Sequence, residues 1–175
     1  DRTLLGERDI FYPSDWSFYI RPATVEAIRN WSMIDDQNGN SIDEVFNEVL
    51  KTCLQIKDST DRPIPWHNIC SWDRFFFLLL IREYTFQDGE SNISYYEDCP
   101  ECETPVEFNL TSDALMYDMP DEDVISYYDQ TSRTWAIDPS EYEVEGDPIT
   151  LYVPTLEKDA NIKAWMIRKL QENRN

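Results

Sequence analysis

Ser71-Trp72-Asp73-Arg74-Phe75-Phe76-Phe77-Leu78-Leu79-Leu80-Ile81-Arg82-Glu83-Tyr84 is the stretch on which the fold turns. Seven consecutive apolar residues, Phe75 to Ile81, stand between Arg74 and Arg82, with Asp73 and Glu83 beside them as expected ion-pair partners. The run is long for a strand and carries no Gly or Pro, so a helix is expected from Ser71 to Tyr84. A surface helix keeps a polar face. This one has none over its centre, so it should sit centrally with other elements packed around it. The run is only about a third of the ~20 residues that a membrane-spanning helix needs.

Upstream, Ser41-Ile42-Asp43-Glu44 fits a capping box and should start a helix there. Ile42, Val45, Phe46, Val49, Leu50 and Cys53 follow with helical spacing and form one apolar stripe. Arg21-Pro22 should open an earlier helix, with Val25, Ile28 and Trp31 on its buried face. The first 20 residues are aromatic and read as extended. Asp36 to Asn40 reads as a polar loop and Asp61 to Pro65 as a stiff turn.

Downstream of Gly89 the period changes to two. Ile93 and Tyr95, then Cys99-Pro100-Glu101-Cys102, then Val106, Phe108 and Leu110 read as strand, tight knuckle, strand. Residues 111 to 140 are acidic and weakly patterned, with short helices expected near 114–117 and 121–128. Ile149 to Val153 should be a strand that stops at Pro154, and Glu157 to Asn173 a closing helix with Ile162, Trp165, Met166 and Leu170 on one stripe. The expected fold is α+β: one domain over 1–175, with a compact helical core over about 15–88 that the terminal helix packs against. An acidic region of Cys-knuckle β-hairpin and loops fills about 89–156, and the C-terminal helix spans about 157–173.

The formal net charge is −20, and it is unevenly placed. Glu83 to Glu157 holds 20 acids and a single base, Arg133, while the rest holds 15 acids and 14 bases. Such a chain is repelled by nucleic-acid phosphate and by anionic lipid, so neither is an expected partner. Block asymmetry of this kind marks a surface that faces solvent or a basic neighbour. No signal peptide opens the chain, although it begins at Asp1 rather than Met, which points to a longer parent.

Little here suggests catalysis. Four Gly leave small scope for phosphate-cradling loops, and the single histidine, His67, removes most triads and multi-histidine metal sites. Placing Gly39 at the sixth position of a calcium loop puts Ile34 and Val45 at ligand positions, so an EF-hand fails. The sharpest local signal is Cys99-Pro100-Glu101-Cys102. A redox Cys-x-x-Cys sits at a helix N-terminus, whereas strand-like sequence follows here and Glu97, Asp98, Glu101 and Glu103 surround the sulfurs. Two cysteines on a hairpin tip suit a tetrahedral zinc ion instead. His67 and Cys70 would complete one structural Zn2+ site with Cys99 and Cys102, and Cys53 is a substitute ligand whose plainer role is a buried core thiol. Unligated buried thiols and a disulfide are the competing readings. No enzyme, no small-molecule substrate and no other cofactor is expected.

Four features in order carry a resemblance. They are Phe18-Tyr19-Ile20-Arg21-Pro22 before a helix, Trp72-Asp73-Arg74 leading to Ile81-Arg82-Glu83, Cys99-Pro100-Glu101-Cys102, and Val153-Pro154-Thr155 before the last helix. Together they resemble the T4-like bacteriophage baseplate hub subunit family. The resemblance implies a structural virion component of a contractile tail. It would be assembled in the host cytoplasm through contacts with other baseplate and tail proteins. It also implies structural ion-pair roles for Asp73, Arg74, Arg82 and Glu83. Two other readings are an acidic DNA mimic that sequesters a basic host protein, and an assembly chaperone absent from the mature particle. The six tryptophans exceed what one small core needs, so some would serve as interface anchors.

Overall fold

The computed structural model describes residues 2–32, 39–86, 93–112, 115, 119–143 and 145–172. The expected loop at 36–38, the onset of the hairpin before Ile93 and most of the short helix expected at 114–117 lie outside the described residues. The chain forms strands β1 (Ser17–Ile20), β2 (Leu54–Lys57), β3 (Pro63–Ile64), β4 (Ile93–Asp98), β5 (Pro105–Leu110), β6 (Tyr128–Asp129), β7 (Thr134–Ile137) and β8 (Ile149–Tyr152). Its helices are α1 (Val25–Ser32), α2 (Gly39–Cys53), α3 (Arg74–Thr85), α4 (Glu122–Ser126) and α5 (Leu156–Glu172). The strands fall into three small sheets of order β1-β2-β3, β4-β5 and β6-β7-β8. The class is α+β, as the residue pattern implies.

The chain divides into two compact units. One comprises Phe18–Gln55 and Asp73–Met116 and holds α1, α2, α3 and the β4–β5 hairpin. Its core is α3, where Phe76 through Ile81 are all buried, around the whole circumference of the helix. Phe77 stacks on Phe18 with ring centroids 5.7 Å apart. Val49, Leu50 and Cys53, from the expected stripe of α2, are buried too. The apolar run of α3 is not enclosed at its start: Phe75 is 58% exposed and meets Phe46 edge-on.

Three local expectations are corrected here. Helix α1 begins at Val25 rather than at Pro22, because Thr24 supplies the cap, its hydroxyl accepting from the Ala27 N–H. Val25 is thereby in the first turn and 83% exposed, not buried. Helix α2 begins at Gly39, inside the expected polar loop. Two of the flanking charges of α3, Arg74 and Glu83, pair with other elements. Arg74 donates to the Asp43 carboxylate at 2.7 Å and to Asn47 at 3.2 Å, both on α2. The Glu83 carboxylate accepts from the Ser112 N–H and hydroxyl at 2.6 and 2.8 Å. A residue next in sequence points off another face of a helix, so pairing across elements is the better geometry.

The other unit comprises Asp1–Ser17, Ile56–Trp72 and Tyr117–Asn175. Most of its first segment is not extended as expected. Arg2–Phe11 is 3₁₀ helix broken at Gly6, where φ is +56°. Leu4, Leu5, Glu7 and Arg8 are good helix formers, and the two aromatics that suggested a strand, Phe11 and Tyr12, instead fill the core. Leu5, Ile56, Ile69, Cys70 and Val153 are buried in this unit as well. Phe11 meets Trp72, Tyr128 and Trp135 at 5.4, 5.5 and 6.2 Å between ring centroids. β6, β7 and β8 form an antiparallel meander with Trp135 opposite Leu151 and Ile137 opposite Ile149.

Candidate protein interface

Helix α5 begins where Thr155 caps it. The Thr155 hydroxyl accepts from the Lys158 N–H, and its carbonyl accepts from the Asp159 N–H. This first turn is tied down on both sides: Ser71 N–H donates to the Pro154 carbonyl, and Leu156 N–H donates to the Ile69 carbonyl. Lys158 lies 4.1 Å over the Tyr152 ring, and desolvation, followed by the nearby Arg133 charge, holds its pKa below the ordinary value.

Every residue from Ala160 to Glu172 is exposed, so the expectation of a terminal helix packing back is overturned. Ile162, Trp165, Met166, Ile167 and Leu170 are each more than half exposed. At 100° per residue Trp165, Ile162, Met166 and Leu170 share one arc, and Ile167 extends it. The spacing that was read as a buried stripe is real, but it faces outward. An apolar stripe of this size left in water marks a binding surface.

The β4–β5 hairpin is a second exposed surface. Its register runs from Ile93 opposite Leu110 to Asp98 opposite Pro105. Tyr95 stacks on Phe108 at 5.2 Å, and both remain over two-fifths exposed, with Tyr96 and Val106 also exposed. Glu97, Asp98, Glu101, Glu103 and Glu107 are exposed around them, and residues 93–110 contain no base. Asp121, Glu122 and Asp123 are exposed too.

The one base inside the acidic block does something the sequence did not signal. Arg133 is 9% exposed and sits at φ +57° after a turn in which Asp129 accepts from Thr131 and Ser132. Its Nε donates to the Phe11 carbonyl at 3.0 Å, Nη1 to the Asn68 carbonyl at 2.7 Å and Nη2 to Cys70 Sγ at 3.3 Å. The guanidinium also lies 5.2 Å from the ring centres of Tyr12 and of Trp16. It therefore pins two distant segments, 11–16 and 68–70, to the meander that leads into α5. Burial pushes the neighbouring Tyr128 hydroxyl up to about 12, with the Arg133 charge acting the other way. The only sequence signal was that this base stands alone among acids.

The expected metal ligands fall into different surroundings. Cys70 is fully buried, its N–H donating to the Tyr12 hydroxyl and its sulfur facing Arg133. His67 is about one-third exposed, stacks edge-on against Trp66 and has Nε2 3.9 Å from Glu157. Cys53 is buried with its thiol directed at the Pro22 carbonyl, 3.9 Å away. Cys99 and Cys102 share the hairpin turn, Cys102 exposed and Cys99 partly so. The Thr104 hydroxyl, 3.3 Å from Cys102 Sγ, lowers that thiol's pKa first, followed by the Thr104 backbone and Cys99. Among the described residues no three His, Cys, Asp or Glu side chains converge as a metal site, and no disulfide forms. None of the described helices is long and apolar enough to cross a membrane.

Of the tryptophans, Trp165 is the most exposed among those described, and Trp72 is 40% exposed. The side chain of Trp31 is outside the described residues. No match was found among curated proteins or among solved structures. Residues 9–160 match the family model of the T4 bacteriophage base plate protein, and with most of its length so matched the chain belongs to that family.

Proposed function

We propose that the chain is a structural subunit of a contractile-tail baseplate, placed at the hub or next to it, and retained in the virion. It acts through protein–protein contacts rather than catalysis, and it joins other baseplate and tail proteins during assembly in the host cytoplasm. The family supplies the baseplate setting. The single observation that carries the contact role is the outward apolar arc of α5, on a helix whose residues 160–172 are all exposed. Covering the exposed halves of Ile162, Trp165, Met166, Ile167 and Leu170 is worth about 1 kcal/mol each, or ~5 kcal/mol together. That is a substantial fraction of a micromolar contact.

The test is a phage carrying Ile162→Glu and Trp165→Glu. The isolated variant should keep its circular dichroism and urea midpoint, because neither side chain is buried. Baseplates should fail to incorporate it. Mature particles containing the variant at the normal copy number would overturn the contact role. Absence of the unaltered chain from mature particles would point instead to an assembly chaperone.

A further inference from the structure

Residues 99–104 join β4 to β5, and their backbone is closed by two hydrogen bonds. The Cys99 N–H donates to the Thr104 carbonyl at 3.0 Å, and the Glu103 N–H donates to the Cys99 carbonyl at 2.8 Å. Glu103, directly after the second cysteine, is left-handed at φ +55°. Such a conformation is costly for a residue with a side chain and persists only where the surroundings enforce it. Pro100 fixes φ one residue after the first cysteine. The outcome is a tight turn that carries both cysteines three residues apart at the hairpin tip, Cys102 exposed and Cys99 partly so. No helix follows Cys102, since β5 begins at Pro105, so the arrangement lacks the N-terminal dipole of a redox pair.

We infer that this turn is a two-thiolate site for a thiophilic divalent cation, zinc above all, with water in the two remaining tetrahedral positions. Tetrahedral zinc takes thiolate sulfur readily, and an incomplete protein ligand set leaves open positions that solvent or a partner fills. This site needs only Cys99 and Cys102 of the four ligands expected from the sequence. Cys70 faces the Arg133 guanidinium and Cys53 is sealed beneath Pro22, whereas Cys102 is exposed at the hairpin tip. The hairpin, residues 93–110, carries five exposed carboxylates and no base, which raises the local concentration of cations. Binding converts two thiols to thiolates, so two protons leave for each zinc bound. The inference stands on the hairpin alone and does not depend on the baseplate role.

The test uses the reduced full-length chain, titrated with Zn2+ in excess Mg2+ so that loose carboxylate sites are already filled. One zinc per chain and about two protons released are expected, read by calorimetry in buffers of different ionisation enthalpy. Cobalt in place of zinc should give sulfur-to-metal charge-transfer absorption. The paired substitution Cys99→Ser and Cys102→Ser should abolish both signals, while Cys53→Ala keeps them. Zinc should also protect Cys99 and Cys102 of the unaltered chain from alkylation, a readout that needs no variant. Undiminished binding in the double variant, one metal per two chains, or no stoichiometric binding at all would each overturn the two-thiolate site.

Discussion

Replacing Arg133 by Met tests the claim that one buried guanidinium holds three segments together. The side chain keeps an unbranched apolar stem, two atoms shorter, but loses every donor. The Phe11 carbonyl, which is buried, loses its Nε partner at 3.0 Å, and the Asn68 carbonyl loses Nη1 at 2.7 Å. A buried acceptor left open costs about 1–3 kcal/mol. The part-buried Asn68 site falls at the lower end because water reaches it. The two ring contacts at 5.2 Å add roughly 0.5–1 kcal/mol each, some of which Met recovers by packing. The sum is about 3–5 kcal/mol. The left-handed backbone at φ +57° is equally unfavourable for Arg and Met, so it cancels. At ~2–4 °C per kcal/mol for a chain of this size, Tm should fall by roughly 10 °C or more. Urea unfolding followed by tryptophan fluorescence gives the free energy, with Trp16 reporting directly on the site. Arg133→Lys keeps the charge but not the fork and should recover less than half of the loss. A Met variant within ~1 kcal/mol of the unaltered chain would refute the pinning role.

Phe77→Ala should cost ~3–5 kcal/mol in urea unfolding, because Phe77 is fully buried and stacks on Phe18; a loss below ~1 kcal/mol would contradict the centrality of α3. Asp58 accepts from the Thr60 hydroxyl at 2.6 Å, from the Thr60 and Arg62 N–H groups and from the Arg62 side chain, and these bonds hold its pKa well below the ordinary aspartate value of 3.8 despite some desolvation. A carboxylate with a depressed folded pKa contributes stability that is complete above its unfolded pKa and is lost as pH falls through the folded one. Asp58→Asn should therefore unfold at lower urea than the unaltered chain at neutral pH, with the gap narrowing steadily below pH 3.8; a gap independent of pH would remove the assignment.

Periodicity made the helices legible. The stripe from Ile42 to Cys53, the apolar centre of α3 and the alternation across Cys99 to Cys102 all mark elements that formed within a few residues of where they were read. What periodicity does not say is which way a stripe faces. Val49 and Leu50 of α2 are buried, while Ile162 and Trp165 of α5, at the same kind of spacing, are exposed. The difference lies in whether another element is present to receive the face, and that is tertiary information. β6 and β7 were missed because each is short and their cohesion comes from Asp129, Ser132 and Arg133 rather than from an apolar pattern. The interleaving of three segments in one unit and two in the other likewise has no local signature. Arg133 stood out in the charge count, yet a lone base among acids reads equally as surface or as pin until its partners are known.

The bare length of α5 has a thermodynamic consequence for assembly. Beyond its tethered first turn every described residue of the helix is exposed, and isolated helices shorter than ~12–15 residues are marginal in water. A neighbour that covers the arc also steadies the helix, so part of the free energy of docking goes into that ordering. Binding of that kind is weaker than its buried area suggests, but it is steep and all-or-none. If α5 docks as proposed, a neighbour whose groove fits the helix is favoured over one that leaves its far end bare.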